Sequence, residues 1–330
     1  MSSAVTLAAA TSPNVAVGPQ YDTTHVYVAP EDFDRFVASL VETFGGTTSK
    51  QGVFTVTPTP SSTMSQLVLT PAGTVSAFGF KTPIPFPFGA ERTGYLVTDL
   101  DVVIRAARST GADVLVTSFN DPIGRDVIIQ WPGGVNTQLY WHTTPPSYTP
   151  LQTVPKNRVY VSADRVAEFV QSFLAFSLGK VVSDDAHAPG VEIGRPNDAF
   201  RRIRIQSNFG KLMVLVTDGK LSNPFGRETS GSEVANLADT LAKAKAAGAE
   251  ILVGPYAAEQ RDAAPGVQMQ NRYSKVWPPR HAHPSGQNGS PVLHSFPCFL
   301  VSQLRPRPVS IFANAEMLPG TSEAPDLSRL

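Results

Sequence analysis

The sequence predicts an α+β protein of two tandem domains, each built from a pair of βαβββ modules. Three observations lead there. The chain repeats itself: Pro87 to Phe119 and Pro224 to Tyr256 align without a gap over 33 positions, twelve of them identical. An earlier pair agrees, since Thr24-His25-Val26-Tyr27-Val28 recurs as Asn157-Arg158-Val159-Tyr160-Val161. Each is followed at matched spacing by apolar residues of helical period: Phe33, Phe36, Val37, Leu40 and Val41, then Val166, Phe169, Val170, Phe173 and Leu174. The unit is therefore about 135 residues long, too long for a solenoid repeat and about right for one domain. Finally, strand and helix signals alternate in an order that reads βαβββ twice within a unit.

In the first unit, Thr24 to Val28 alternates around branched residues as a half-buried strand does, and Pro30, Glu31 and Asp32 open a helix that stops at Gly45-Gly46. Short β-rich runs follow at Val53 to Thr57, Ser65 to Thr70 and Val75 to Phe80. The last enters TPIPFPFG, where prolines forbid a helix. A second pass begins with a strand at Gly94 to Thr98 and a helix from Leu100 to Ser109, closed by Gly111. Strands at Val114 to Thr117, Asp126 to Trp131 and Val135 to Trp141 complete it, the last two joined by a Pro132-Gly133-Gly134 turn.

Composition narrows the function classes. With 330 residues, 42% apolar and 16% charged, the chain can bury two ordinary cores. Formal net charge is zero and no Lys/Arg-rich run appears, so the footprint of a phosphate-backbone binder is missing and no nucleic-acid partner is expected. The single cysteine, Cys298, excludes an intrachain disulfide framework and a Cys-based zinc site. Residues 1–20 open mildly apolar without a basic n-region and read as a disordered leader; no membrane span is visible. A soluble, cytoplasmic monomer or homodimer is expected.

The segment GRDVIIQWPGGVNTQLYW (Gly124 to Trp141) looks like the closing hairpin of a glyoxalase-like domain, and Val97 to Asp101 (VTDLD) and the N-terminal His-x-Tyr-Val strand add to the match. On these residues the chain resembles the vicinal oxygen chelate superfamily of glyoxalases, bleomycin-resistance proteins and extradiol dioxygenases. The resemblance covers residues 22 to 145 and, less closely, 155 to 262. It implies sheets curled into open barrels, domain 1 over 21–148 and domain 2 over 155–262, each with a concave face. In the superfamily that face typically holds one divalent metal on two histidines, or a histidine and a glutamine, with a glutamate on the final strand.

Carried over by position, the resemblance places His25 at the first-strand histidine, as metal ligand or active-site base, or as a hydrogen-bonded barrel histidine. The second ligand position falls near Arg92 and Thr93, and a guanidinium repels a metal. Gln138 takes the glutamate position, as a weak neutral ligand or a buried amide paired with backbone. Period-2 alternation puts Tyr140 and His142 on the face of Gln138, so His142 or Glu91 could complete a ligand set. Tyr27 and Tyr140 are expected to orient a substrate. Arg92 and Arg158 are surface charges or cavity-facing binders of an anionic substrate. Any divalent ion is expected to be weakly held.

The second unit departs from the first. Arg158 stands where His25 does, and the repeat breaks at about residue 263, so domain 2 is expected to be degenerate and to lack its closing hairpin. Residues 263–330 read as a divergent, disordered tail in which only Pro291 to Ser302 could make a strand and His281, His283 and His294 form a chance cluster. Two functions remain open. One is a glyoxalase-like enzyme, an isomerase, lyase or dioxygenase acting on a small oxygenated organic molecule, in secondary metabolism for example. The other is a metal-free binding or sequestration protein of the bleomycin-resistance kind.

Overall fold

The computed structural model describes residues 13–257, 272–277 and 311–315. The first module runs β1 (Thr23–Tyr27), α1 (Phe33–Phe44), the short β2 (Thr47–Thr48) and β3 (Gly52–Phe54), then β4 (Thr63–Thr70) and β5 (Gly73–Phe80). Pro30 opens a single 3-10 turn ahead of α1. Gly45 ends the helix at φ 76°, a left-handed conformation that disfavours a side chain. The second module runs β6 (Arg92–Leu96), α2 (Leu100–Ser109), β7 (Asp113–Asp121), β8 (Gly124–Trp131) and β9 (Val135–His142). Asp99 caps α2 by accepting from the Val102 amide at 2.9 Å.

These strands form one sheet in the order β2-β4-β5-β1-β6-β9-β8-β7, with β3 on β4. Each module closes on a parallel pair, β1 with β5 and β6 with β9, and the two modules join through the antiparallel pair β1–β6. Register sets the site: His25 lies opposite Arg92, and Gly94 lies opposite Gln138. Alternation sends Val26 outward, where Phe33, Phe36 and Leu40 of α1 bury it with Val68 and Ala77. The same alternation turns His25 and Tyr27 inward.

The second copy contains β10 (Lys156–Val161), α3 (Val166–Ser177), β11 (Lys180–Pro189), β12 (Ala199–Ser207), β13 (Gly210–Val216), β14 (Ser230–Val234), α4 (Leu237–Ala246) and β15 (Glu250–Ala257). Its sheet order is β11-β12-β13-β10-β14-β17-β16-β15, where β16 is Arg272–Trp277 and β17 is Ile311–Ala315. The central pairings repeat: β10 is parallel to β13, antiparallel to β14, and β14 is parallel to β17.

Two expectations need correction. The closing strands of the second copy are not missing: β16 and β17 pair antiparallel in the places that β8 and β9 hold in the first sheet. Sequence reading overlooked them because residues 278–310 separate them where the first copy has a Pro-Gly-Gly turn. His281, His283, His294 and the strand expected at Pro291 to Ser302 lie outside the described residues, as do residues 1–12. Nor does a disordered leader extend to residue 20. Val15 is 2% exposed in the core, and the backbone there pairs with β6 and its extension through Val17 N to Leu96 O at 3.2 Å and Thr98 N to Val15 O at 2.9 Å.

The two copies share a core. Trp131 at the end of β8 meets Phe173 and Phe176 of α3 edge to face, with centroids 5.7 and 4.9 Å apart, and Tyr95 packs on Phe209 at 4.7 Å. Among the described residues no helix is long and apolar enough to cross a membrane.

Candidate functional site

The concave face of the first sheet encloses a cavity of about 370 Å³, within the range of small-molecule sites. His25 and Tyr27 of β1 and Gln138 and Tyr140 of β9 reach it together, with Phe54, Phe78 and Phe88 as apolar wall. His25 Nδ1 lies 3.1 Å from Gln138 Oε1. The four side chains expected to converge from the first and last strands do line one cavity.

Arg92 organises them from beneath. Its Nε donates to the same Gln138 oxygen at 3.1 Å, one terminal nitrogen donates to the Pro87 carbonyl at 3.1 Å, and the other donates to the Tyr27 hydroxyl. The guanidinium also faces the rings of Tyr27 and Phe88, 5.7 and 5.2 Å from their centroids. Gln138 Nε2 donates to Asp126 Oδ2 at 2.8 Å, which fixes the amide with its oxygen toward Arg92 and His25. Because that oxygen only accepts, His25 carries its proton on Nδ1, and Nε2 keeps a free lone pair.

Electrostatics reinforce this state. Burial first, and then the Arg92 charge, lower the His25 pKa to about 3 against the opposing bond to Gln138. The imidazole is neutral. Burial, with the neighbouring Asp121, raises the Asp126 carboxyl well above its ordinary range against the pull of Gln138 and Arg92. Burial also raises both phenols; Tyr140 gives its proton to the Tyr21 carbonyl.

Three other candidates lie differently. Glu91, one position before Arg92, turns away from the cavity; burial first, then Glu228 of the second copy, raises its pKa to about 8 against Arg227. His142 lines the cavity, its pKa lowered by burial against the pull of Asp121. Arg158 is buried in the second barrel. Burial there disfavours its charge, but Tyr160, Glu228, Tyr256 and Glu192 outweigh that and raise its pKa. Neither arginine is a surface charge, since both are buried; Arg92 does not line the first cavity, and three of its N–H groups donate to protein acceptors.

The donor set does not fit a divalent metal. The predicted ligands were His25, Gln138 and Glu91, but Glu91 faces elsewhere, His25 gives its Nδ1 proton to the Gln138 oxygen, and a guanidinium bonds to that same oxygen. Among the described residues no three His, Cys, Asp or Glu side chains gather as a ligand group. A buried cation at that position repels a second one, and neutral donors leave its charge uncompensated. Sequence reasoning missed Asp126 and Thr23. The signal for Asp126 was a single acidic residue in the strand run GRDVIIQW, in phase with Ile128 and opposite Tyr140 on the cavity face.

No protein-family model matches the chain, and no curated protein matches it either. Solved structures do. A mutant of 4-hydroxymandelate synthase from Streptomyces coelicolor superposes with a TM-score of 0.53 at 10% identity, covering 94% of each chain. A fusion of a xylose isomerase-like TIM barrel with 4-hydroxyphenylpyruvate dioxygenase gives 0.52 at 10% identity over 95% of this chain, which spans about half, 51%, of the fusion's length. Likeness at such identity speaks for the fold. With the doubled strand order it supports an α+β fold of paired βαβββ modules, repeated in two tandem sheets.

Proposed function

We propose that the first barrel binds a small organic molecule without a divalent metal, as a holding or sequestering protein of the bleomycin-resistance kind. The observation that carries this reading is Arg92. Its buried guanidinium supplies the positive charge beside His25 and Gln138 and is tied down by three acceptors. The residues around the cavity then offer an apolar, aromatic enclosure with a few convergent polar groups, which is what binding requires.

A second reading, an enzyme of isomerase, lyase or dioxygenase type, draws support from the fold shared with a synthase and a dioxygenase fusion. In that reading His25 would be the base, with Tyr27 and Tyr140 orienting the substrate. Against it stands the His25 pKa of about 3, far from neutral pH, which makes the imidazole a weak proton acceptor. The test is metal content together with binding. Full-length protein purified without an affinity tag is expected to carry substoichiometric metal and to bind small phenolic probes equally with and without chelator. A stoichiometric divalent ion, or binding that vanishes with chelator and returns with metal, overturns the proposal.

A further inference from the structure

Two polar atoms at the inner end of the first cavity have no partner in the protein. Thr23 and His25 are two apart on β1 and both line the cavity. Thr23 Oγ1 is buried and makes no hydrogen bond; it lies near enough to the Tyr140 phenol to favour its ionisation slightly, but no aligned bond joins them and the phenol proton goes to Tyr21. His25 hydrogen-bonds through Nδ1 only, so Nε2 presents its lone pair. A methyl group on Gly94, across the strand pair from Thr23, would stand 2.6 Å from His25 Nε2 and 2.8 Å from Thr23 Oγ1. The two atoms are therefore no more than about 5.4 Å apart, a span that one oxygen on the cavity side can bridge at hydrogen-bond distances. A buried polar atom left unpaired costs about 1–3 kcal/mol, so a partner is expected there.

From this pair we infer the ligand class, an inference that rests on the first barrel being a small-molecule site: the ligand is a neutral hydroxylated aromatic, held by its own O–H. The chemistry of the two atoms selects it. Nε2 of an imidazole protonated on Nδ1 only accepts, so the ligand atom must donate. Thr23 Oγ1 can donate in return, so the same atom can also accept. A hydroxyl does both, whereas an ether cannot donate, a carboxylate has no proton at neutral pH, and an ammonium cannot accept. The charges nearby agree. Three Arg92 N–H groups are engaged below the site and the acidic Asp121 lines the cavity, so the inner end offers an anion little positive charge; Lys50, which also lines the cavity, is exposed. Phe78 stands edge-on to the His25 ring at 5.4 Å and gives an aromatic ligand an apolar wall beside that acceptor.

The experiment is calorimetry on the full chain with three matched probes, 4-ethylphenol, its methyl ether and 4-ethylbenzoate. The phenol is expected to bind best, with the ether and the benzoate each weaker by about tenfold or more, the worth of one buried hydrogen bond. Thr23→Val, nearly isosteric, is expected to weaken the phenol by about fivefold and to leave the ether unchanged. Gly94→Ala, whose added carbon presses on His25 Nε2, is expected to weaken the phenol likewise while the melting curve reports the fold. Should either variant fail to fold, the probe series on the unaltered protein still decides. Equal binding of phenol and ether, or preference for the benzoate, overturns this inference and leaves the binding site standing. No binding by any of the three removes the site reading as well.

Discussion

The two barrels place a tyrosine at the same point and give it opposite partners. In the first, Tyr27 accepts from Arg92; in the second, Tyr160, its repeat equivalent, donates to Glu228. Beside them, neutral His25 is exchanged for Arg158, while Arg92 of the first barrel bonds to neutral acceptors, the Gln138 amide, the Pro87 carbonyl and the Tyr27 hydroxyl. The second barrel instead closes on ions: Arg202 pairs with Glu192 and Asp185, and Arg158 feels Glu228 and Glu192. The same strand order thus supports a cavity with neutral polar groups in one copy and a buried charge network in the other. We propose that the second copy is a supporting domain and that ligand recognition belongs to the first.

The strongest way to break this division is through the core that both copies share. Trp131→Ala removes the ring wedged against Phe173 and Phe176 and is expected to cost about 3–5 kcal/mol. Urea unfolding should show both barrels destabilised together in one transition. Two separated transitions, only one of them shifted, would mean that the copies fold independently.

Next in size is the exchange of the two buried arginines. Arg92→Met leaves the Pro87 carbonyl and the Tyr27 hydroxyl without their donor, and Arg158→Met leaves Glu228 and Glu192 less compensated. Each is expected to destabilise by about 3 kcal/mol. Only Arg92→Met should also weaken 4-ethylphenol, because it releases the amide that orients His25. Loss of binding with Arg158→Met and not with Arg92→Met would reverse the assignment of roles. Glu228→Gln tests the second network more gently. Keeping an acceptor for Tyr160 while removing the charge, it should cost about 1–2 kcal/mol in thermal unfolding and leave probe binding unchanged.

Sequence alone gave the first barrel almost whole, because each boundary there carries a local chemical signal. Asp99 and Gly111 bracket α2, and Pro-Gly-Gly forces the turn between β8 and β9. The second barrel's closing strands carry no such signal: an intervening stretch replaces the turn, and only long-range pairing brings β17 between β14 and β16. At the site, alternation delivered His25, Tyr27, Gln138 and Tyr140 to one face. Glu91, one residue ahead of β6, does not line the first cavity. What period and spacing do not encode is whether a buried cation is already satisfied. That depends on the Pro87 carbonyl, the Gln138 amide and the Tyr27 hydroxyl meeting Arg92 at once, three partners spread from residue 27 to 138.

The first barrel also responds to acid, and the sign of that response follows from His25. The native imidazole, with its pKa lowered from 6.5 to about 3 by burial and then by Arg92, takes no proton over a range in which the unfolded chain does. The stability it contributes is therefore fully present above pH 6.5 and declines as the pH falls from 6.5 toward 3. The loss is on the order of 1 kcal/mol for each pH unit in that window. Glu91 works in the opposite sense. Burial and Glu228 raise its pKa from 4.5 to about 8, so the native state keeps a proton that the unfolded chain releases, and stability falls as the pH rises between those values. The two slopes overlap, so the whole-protein profile hides both. Comparing the chain with His25→Gln, which cannot titrate, isolates the first: the variant should lose less stability between pH 6.5 and 5, while its behaviour above pH 7 stays parallel. Imidazole resonances give the direct check, since the His25 signal should not move between pH 8 and 5. A midpoint near 6.5 would show a protonated His25, an Nε2 that donates instead of accepting, and a first barrel that resembles the charged second one more than the neutral pocket described above.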